Sequence, residues 1–245
     1  MAIKKAEAFI LHTFNLQEQD KIVTLFTREK GIIKGVAKGA RKFGNRFGSS
    51  LEPLSWVKVV YYEKEGKELV TINQCDLQES FFEMQNDIKF AFTLSYFTEV
   101  IQEFFPHQSK EENLFRLLLK VLQALKKGGD LELLGSYFEA WMLRLSGITP
   151  DIRTCKKCQQ RIVQESWIAP GKDGVYCSSC ASHKKERIPP ELESFLAWIK
   201  KNPPPEGNLE LFSNEQIKSI RKTLQNLLIY HMEREPKSLR YLNDS

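Results

Sequence analysis

The chain of 245 residues has no apolar run of the length that a membrane-spanning helix needs. Such a helix requires about 20 predominantly apolar residues, and no uninterrupted apolar stretch here reaches 18. The first residues, MAIKKAEAFILHT, include Glu7 and no apolar core ahead of a small-residue cleavage site, unlike a secretory signal. We therefore expect a cytoplasmic protein with no membrane partner.

Groups that carry catalysis are also scarce. The four histidines have neither metal-ligand nor triad spacing; they are His12, His107, His183 and His231. No GxxxxGK[ST] loop is present to bind ATP phosphates, and no paired carboxylates lie in a glycine-bounded or histidine-bearing motif. The sequence predicts no catalytic residues, and we expect the protein not to be an enzyme.

Acidic residues are absent from one segment, residues 30–51, KGIIKGVAKGARKFGNRFGSSL. This segment carries six positive charges and five glycines, whereas the whole chain has a net charge of +5, so the remainder sums to −1. A solvated surface usually includes compensating acids. A local excess of positive charge instead indicates a site for phosphates, nucleic acid or an acidic peptide.

The residue types in this segment favour nucleic acid. Glycine lets the backbone approach a ligand closely, Lys and Arg neutralise phosphates, and aromatic rings stack on unpaired bases. Phe43 and Phe47 either stack in this way or anchor the loop to its scaffold. The predicted DNA-binding residues are Lys30, Lys34, Lys38, Arg41, Lys42, Phe43 and Arg46.

Four of the five cysteines form two CxxC pairs, Cys155 with Cys158 and Cys177 with Cys180, separated by 18 residues. This spacing is typical of a Cys₄ zinc site, in which each pair binds one side of the ion from a tight turn. Between the pairs, SWIA and GVY flank the turn-forming PGKDG and predict a hairpin. We predict one structural Zn²⁺ ion per chain.

Other interpretations of the cysteines fit less well. Disulfides require an oxidising compartment, and a thioredoxin-like site uses a single CxxC on a βαβ unit. A catalytic zinc keeps one coordination position open, whereas four thiolates close it. His183 is close enough in sequence to replace one thiolate, and Cys75 is expected to be a small buried hydrophobe.

The hydrophobic pattern divides the chain into two domains of an α+β protein. Five β-rich runs occupy residues 1–80; they are AEAFILHTF, DKIVTLFTR, GIIKGVAK, SWVKVVYYEK and KELVTINQCDL. Two of their connections, Arg28–Gly31 and Lys64–Lys67, are short and contain glycine, as hairpins require, whereas the one at residues 39–53 is long, basic and glycine-rich. Five strands with one long loop predict a small, partly open OB-type nucleic-acid-binding barrel.

Residues 81–245 are predicted to form a helical domain that the zinc-binding segment, residues 151–183, interrupts. Apolar residues recur at helical spacing over residues 90–105, 114–125 and 131–145, and again over 189–200 and from Ser213 onward. Ser109 with Glu112, and Ser213 with Gln216, match the capping-box pattern. We expect the last residues, from Glu235, to be a loose tail.

The stretch NLQEQDKIVTLFTREKGIIKGVAKGARK, followed by LEPL, resembles the bacterial RecO family of recombination mediators. The resemblance extends along the whole chain, and the order of barrel, helices, Cys₄ knuckle and further helix is similar. The cysteines mark the zinc-bearing branch of that family.

This resemblance implies a protein of the bacterial cytoplasm, associated with the nucleoid, that binds single- and double-stranded DNA and anneals complementary strands without ATP. It also implies cooperation with RecR in loading RecA onto DNA coated by single-strand-binding protein (SSB). The family's DNA contacts map to the barrel surface and loop, at Lys34, Lys38, Arg41, Lys42 and Arg46. The C-terminal tail of SSB is expected to bind the helical domain, where no residues are assigned.

Two other classes of function stay open at this point. A zinc-ribbon RNA-binding or transcription-associated module would prefer RNA, and a metal-dependent nuclease would show turnover that depends on a divalent ion. Basic residues around the first CxxC pair either extend the DNA surface or are ordinary solvated side chains; they are Arg153, Lys156, Lys157 and Arg161.

Overall fold

The computed structural model describes residues 2–105, 108–182, 184–207 and 211–243. The strands are β1 Ala2–Leu16, β2 Asp20–Thr27, β3 Gly31–Ala37, β4 Trp56–Glu63, β5 Leu69–Glu79, β6 Ser166–Ile168 and β7 Val175–Cys177. The helices are α1 Ile88–Phe104, α2 Glu112–Lys126, α3 Leu131–Leu145, α4 Leu192–Ile199, α5 Asn214–Met232 and α6 Lys237–Asn243. The chain forms two compact units, Met1–Leu119 with Pro236–Ser245, and Lys120–Glu235.

The first five strands form a closed barrel in the order β1-β2-β3-β5-β4, which confirms the predicted OB-type fold. All neighbouring pairs are antiparallel except β3 and β5, which run parallel from Lys34 opposite Leu69 to Ala37 opposite Ile72. This parallel pairing closes the barrel, whereas the sequence predicted a partly open one. The long connection after β3 is therefore a crossover to β4.

Side chains of alternate residues fill the barrel, as the two-residue period of a strand requires. Val23, Val57 and Ile72 are fully buried there. A Cβ on Gly35 would lie 2.8 Å from Cγ2 of Val70 and 2.9 Å from Cγ1 of Ile72. Glycine at this position therefore makes room for the β5 side chains inside the barrel.

The start of α2 covers one part of the outer barrel surface. The ring centroid of Phe115 lies 4.9 Å from that of Phe9 and 5.8 Å from that of Phe26. Beside this contact, Arg28 donates two hydrogen bonds to Glu112, at 2.7 and 2.6 Å, and one to Glu7 at 2.7 Å. The hydrogen bonds raise the pKa of the Arg28 guanidinium and lower that of the Glu112 carboxyl. The predicted capping box was wrong, because α2 begins at Glu112 and Ser109 is therefore not its N-cap; both Glu112 carboxylate oxygens accept from Arg28 instead.

The expectation of a loose tail after Glu235 was wrong, because α6 packs within the first unit. Glu99 on α1 accepts hydrogen bonds from the backbone N–H groups of Lys237 and Ser238, at 2.8 and 3.0 Å. These are N-terminal N–H groups of α6, which otherwise lack partners within the helix. Leu239 is buried, so a carboxylate from a distant helix and an apolar contact together hold this segment.

Helices α3 and α5 pack together in the second unit around a buried ion pair. The Arg221 guanidinium donates to Glu139 at 3.2 Å and to Glu132 at 2.7 Å, and Gln225 donates to Glu139 at 2.9 Å. Burial raises the pKa of Glu139 to about 7, although Arg221 partly offsets this effect. The guanidinium lies against Gly135, where a Cβ would come within 2.8 Å of its Cζ and Nη2 atoms.

The Ser213–Gln216 capping box predicted from the sequence is present at the start of α5.

Among the residues that the structure describes, no helix has both the length and the apolar character needed to cross a membrane.

The contact between Gly135 and Arg221 gives a test of this packing. Alanine normally stabilises a helix interior relative to glycine by roughly 0.5–1 kcal/mol. We expect Gly135→Ala to have the opposite effect here, because the added methyl group displaces a buried guanidinium from Glu139, a change that costs about 3 kcal/mol when it breaks the pair. Urea unfolding of the full-length protein measures the difference in the free energy of unfolding. In an Arg221→Ala background the same substitution should no longer destabilise, and a stabilising effect of Gly135→Ala alone would contradict the packing described.

Candidate nucleic-acid interface and metal centre

The basic residues of the barrel lie on its outer surface and on the loop that follows β3. Lys34 and Lys38 are exposed, while Ile33, Gly35 and Ala37 between and beside them are buried. The alternation of a strand therefore directs Lys34 outward, and Lys38 continues the same outward series. Arg41, Lys42 and Arg46 follow on the loop and are also exposed.

Hydrogen bonds to the barrel hold this loop at its start and near its middle. The Asp20 carboxylate accepts from the N–H of Gly39 at 2.8 Å, and the Arg41 guanidinium donates to the carbonyl oxygen of Gln17 at 2.6 Å. Farther along, Arg46 donates to the carbonyl oxygen of Asn73 at 2.8 Å. The two arginines thus keep their charge while fixing the loop against the β1–β2 turn and against β5.

The structure separates the two phenylalanines of the loop. Phe47 is 3% exposed within the barrel core, and the Arg46 guanidinium lies 4.7 Å from its ring centroid. Phe43 is fully exposed. Phe47 is therefore an anchor, and of the two rings only Phe43 can contact a ligand in this conformation.

The lysines differ in how far their charge is already compensated. Lys30, in the β2–β3 turn, forms an ion pair with Glu63 on β4. Within the described ranges, no carboxylate forms an ion pair with Lys34, Lys38 or Lys42. The uncompensated charge is therefore concentrated at the end of β3 and on the loop.

Two residues that position this surface were missed in the sequence. Asp20 is the acid that holds Gly39, and Gln17 is the acceptor for Arg41. Gln17 lies in the β1–β2 connection and Asp20 is the first residue of β2, about 20 residues before the basic loop. Nothing local to either residue indicates its partner, because the contact exists only after the barrel has closed.

The four predicted zinc ligands come together in the second unit. The Sγ atoms of Cys155, Cys158, Cys177 and Cys180 all lie within 4.8 Å of one another, and those of Cys158 and Cys177 are 3.9 Å apart. This is a compact group of four soft ligands without a carboxylate, which is the donor set of a closed structural zinc site. His183 lies outside the described residues, and Cys75 is buried in the barrel, where burial raises the pKa of its thiol to about 11.

The backbone around the thiols favours at least one thiolate. Burial disfavours a charge on Cys155, but hydrogen bonds from the backbone of Cys158, Cys177 and Lys157 outweigh it and lower the pKa of this thiol to about 6. Hydrogen bonding to Cys177 and burial raise the pKa of Cys180 to about 12. A cation bound by all four sulfurs would stabilise their thiolate forms, so the group is compatible with a zinc site.

The predicted hairpin supports the cysteine cluster. β6 and β7 pair antiparallel, with Ser166 opposite Cys177, and Cys155 forms a bridge with Val175. Lys172, in the hairpin turn, donates to the carbonyl oxygen of Asn226 on α5 and pairs with Glu186, each at 3.2 Å. The cluster is thus tied to the helices of its own unit.

Two of the four basic residues near the first CxxC pair form ion pairs. Arg153 pairs with Glu193 at 2.8 Å, and Lys156 pairs with Asp173. Lys157 and Arg161 are exposed. The positive charge of this segment is therefore more compensated than that of the basic loop.

Comparisons with known proteins identify relatives along the whole chain. The family models "Recombination protein O N terminal" and "Recombination protein O C terminal" match residues 1–81 and 85–240. The chain is 33% identical over 238 residues to the DNA repair protein RecO of Koribacter versatilis, with 95% of each chain covered. It is 30% identical over 251 residues to the DNA repair protein RecO of Pelotomaculum thermopropionicum, with 99% of this chain and 94% of the relative covered. The chain therefore belongs to the RecO family of proteins of recombinational DNA repair.

Proposed function

We propose that this protein is a recombination mediator that binds DNA, anneals complementary single strands without ATP and, with RecR, helps to load RecA on SSB-coated DNA. The observation that carries the proposal is the basic loop, which is fixed to an OB-type barrel by Asp20, Arg41 and Arg46 while Lys38, Lys42 and Phe43 project from it. A preformed positive surface of this kind needs little reorganisation to bind a phosphate backbone.

Charge neutralisation is the physical basis of the proposed activity. Two complementary strands repel each other through their phosphates, and binding by fixed Lys and Arg side chains releases condensed counterions. Lys34, Lys38 and Lys42 would contact the backbone, and the exposed ring of Phe43 would stack on a base. Base pairing supplies the free energy of annealing, so the protein needs no catalytic group, and we propose that it is not an enzyme.

The partners proposed for this role are single- and double-stranded DNA, RecR and the C-terminal tail of SSB. The family supports a part in DNA repair, and RecR and SSB follow from the mediator role. The proposed location is the bacterial cytoplasm, in association with the nucleoid.

We also propose that the four cysteines hold one Zn²⁺ ion with a structural role. When bound, the ion cross-links the two CxxC turns and leaves no coordination position for substrate or water. Cys155 and Cys158 would hold it from the turn before β6, and Cys177 and Cys180 from the end of β7. The zinc would thereby stabilise the hairpin that Lys172 ties to α5.

Removal of the metal ligands should release zinc and destabilise the second unit. We expect Cys155→Ser with Cys158→Ser to abolish the single equivalent of zinc, because two ligands cannot close the site, and to lower the thermal unfolding temperature, since metal binding contributes to folding. Metal analysis of anaerobically purified protein measures the first effect and calorimetry the second. Cys75→Ala is the matched control and should retain zinc. Wild-type protein with no stoichiometric zinc would refute the assignment.

Reversal of charge on the loop should weaken DNA binding and its dependence on salt. Lys38→Glu with Lys42→Glu removes two phosphate contacts without breaking the hydrogen bonds of Arg41 and Arg46. On single strands, each phosphate contact contributes roughly 0.7 to the slope of log affinity against log salt concentration. Loss of two contacts should therefore make this slope shallower by about 1.4. Fluorescence anisotropy over a salt series measures this slope.

The control for that experiment is Lys218→Glu with Lys222→Glu, which makes the same change in net charge on exposed positions of α5. This variant should keep most of the affinity and the original slope. Equal loss in both variants would show a general charge effect, and the loop would then not be the DNA site.

Annealing by the wild-type protein should be independent of ATP and should slow as salt rises. We expect faster pairing of complementary oligonucleotides, bare or SSB-coated, in the presence of EDTA and without nucleotide, because fixed charges supply the neutralisation. Deletion of the acidic SSB tail should reduce the effect on coated strands, since a docked tail raises the local concentration of the mediator. A requirement for ATP hydrolysis, or tight binding without faster pairing, would contradict the proposal, and a preference for RNA would point to a different role.

A further inference from the structure

The first residues of β1 form a strand with one free edge. They pair with β4 from the first residue of β1 onward without a register shift, whereas the pairing of β1 with β2 begins only at Ala8. Residues 2–5 are all exposed, so the described chain leaves this edge open to solvent. An edge of this kind presents unpaired backbone groups as a template for another extended chain.

The hydrogen bonds of the following residues identify the backbone groups at this edge. The carbonyl oxygen of Glu7 accepts from the N–H of Arg28, directly after β2, at 2.9 Å, and the N–H of Ile10 donates to the residue that precedes β4, at 3.1 Å. Successive residues of an antiparallel strand direct their N–H and C=O groups to opposite edges. Ile3 and Lys5, which alternate with Glu7, therefore direct theirs away from β4, where the described residues provide no partner.

The side chains along this edge are positively charged or apolar. Ile3 is 62% exposed, and within the described ranges no carboxylate forms an ion pair with Lys4 or Lys5. The acids at adjoining strand positions, Glu7 and Glu63, already form ion pairs with other cations. Because neighbouring residues of a strand point to opposite faces, a second strand placed here meets a lysine on each face.

We propose that this free edge, residues 2–5 of β1, binds an extended acidic segment of a partner protein by β-strand addition. The N–H and C=O groups of Ile3 and Lys5 supply main-chain hydrogen bonds, which give such a contact its affinity, and the side chains give it specificity. Acidic side chains of the segment lie opposite Lys4 and Lys5, since opposite charges stabilise a cross-strand pair, and an apolar one contacts Ile3.

Charge selects this occupant over a second copy of the chain. An antiparallel pair of two such edges, centred on Lys4, would place lysine directly opposite lysine, and like charges in that position are destabilising. A nucleic acid has no peptide backbone to complete the ladder that Ile3 and Lys5 offer. The edge also lies at the opposite end of β1 from the turn that holds the basic loop. The inference therefore goes beyond the proposed function and does not depend on it.

The test measures amide hydrogen exchange of the isotope-labelled, full-length protein by NMR spectroscopy. The probe is a synthetic peptide of about ten residues in which glutamate pairs alternate with valine pairs, so that a strand of it carries acids on both faces. At saturation, exchange of the Ile3 and Lys5 amides should slow by roughly tenfold, because each N–H gains an acceptor. Exchange of the Lys4 amide should change little, since that group faces β4.

Two variants separate the contributions of backbone and charge. Ile3→Pro should weaken peptide binding roughly tenfold, because it removes a donor at the free edge but none from the β1–β4 ladder, and edge strands tolerate proline. Lys4→Glu with Lys5→Glu should lose the acidic peptide and bind the same peptide with lysine in place of glutamate. The matched control, Lys64→Glu with Lys67→Glu, changes exposed residues at the β4–β5 connection and should bind the acidic peptide as the wild type does. Circular dichroism establishes that each variant is folded.

Several outcomes would overturn the inference. Without protection of these amides by the acidic peptide, the lysines would serve only to prevent pairing with other chains. Equal binding of the acidic and the lysine-containing peptide by the wild type would exclude a choice by charge. Protection of Ile3 and Lys5 on concentrating the protein alone, or with single-stranded DNA but not with the peptide, would assign the edge to a second copy or to nucleic acid.

Discussion

The parallel pairing of β3 with β5 is the constraint on which the candidate DNA surface depends. Because β5 occupies the edge of β3 that closes the barrel, β4 cannot follow β3 as its neighbour and instead lies between β5 and β1. The chain must therefore cross the end of the barrel between Ala37 and Trp56. A long connection is unavoidable in this topology, and here that connection carries the positive charge.

The same crossover is stabilised from within the barrel. Phe47 and Leu51 belong to the barrel core, and Asn45 accepts hydrogen bonds from the N–H groups of Phe47 and Gly48 at 3.0 and 3.1 Å. Burial of these apolar groups stabilises the loop by roughly 1.5–3 kcal/mol for each large side chain. Lysines on the loop and on β3 can then remain uncompensated, because folding energy from the core offsets their mutual repulsion.

In the second unit, packed helices likewise hold a segment that carries the functional side chains. A buried ion pair, Arg221 with Glu139, joins α3 to α5 and requires a glycine at position 135. Near it, Lys172 ties the β6–β7 hairpin to α5, so the two CxxC turns converge without a large core of their own. Such a small segment is the kind that a structural metal stabilises.

Local patterns in the sequence were sufficient for the strands, the main helices, the cysteine group and the position of the basic loop, because hydrophobic period and residue spacing act over a few neighbours. They also indicated the capping box at Ser213. They failed where a distant contact decides the outcome: Glu112 binds Arg28, and Glu99 holds α6 in place. Chemically similar residues were likewise separated only by the fold, which buries Phe47 and exposes Phe43 and Phe14. The sequence by itself determined which residue types are available for DNA and metal; tertiary structure decided which of them face solvent, since burial depends on strand register and barrel closure, which no local pattern encodes.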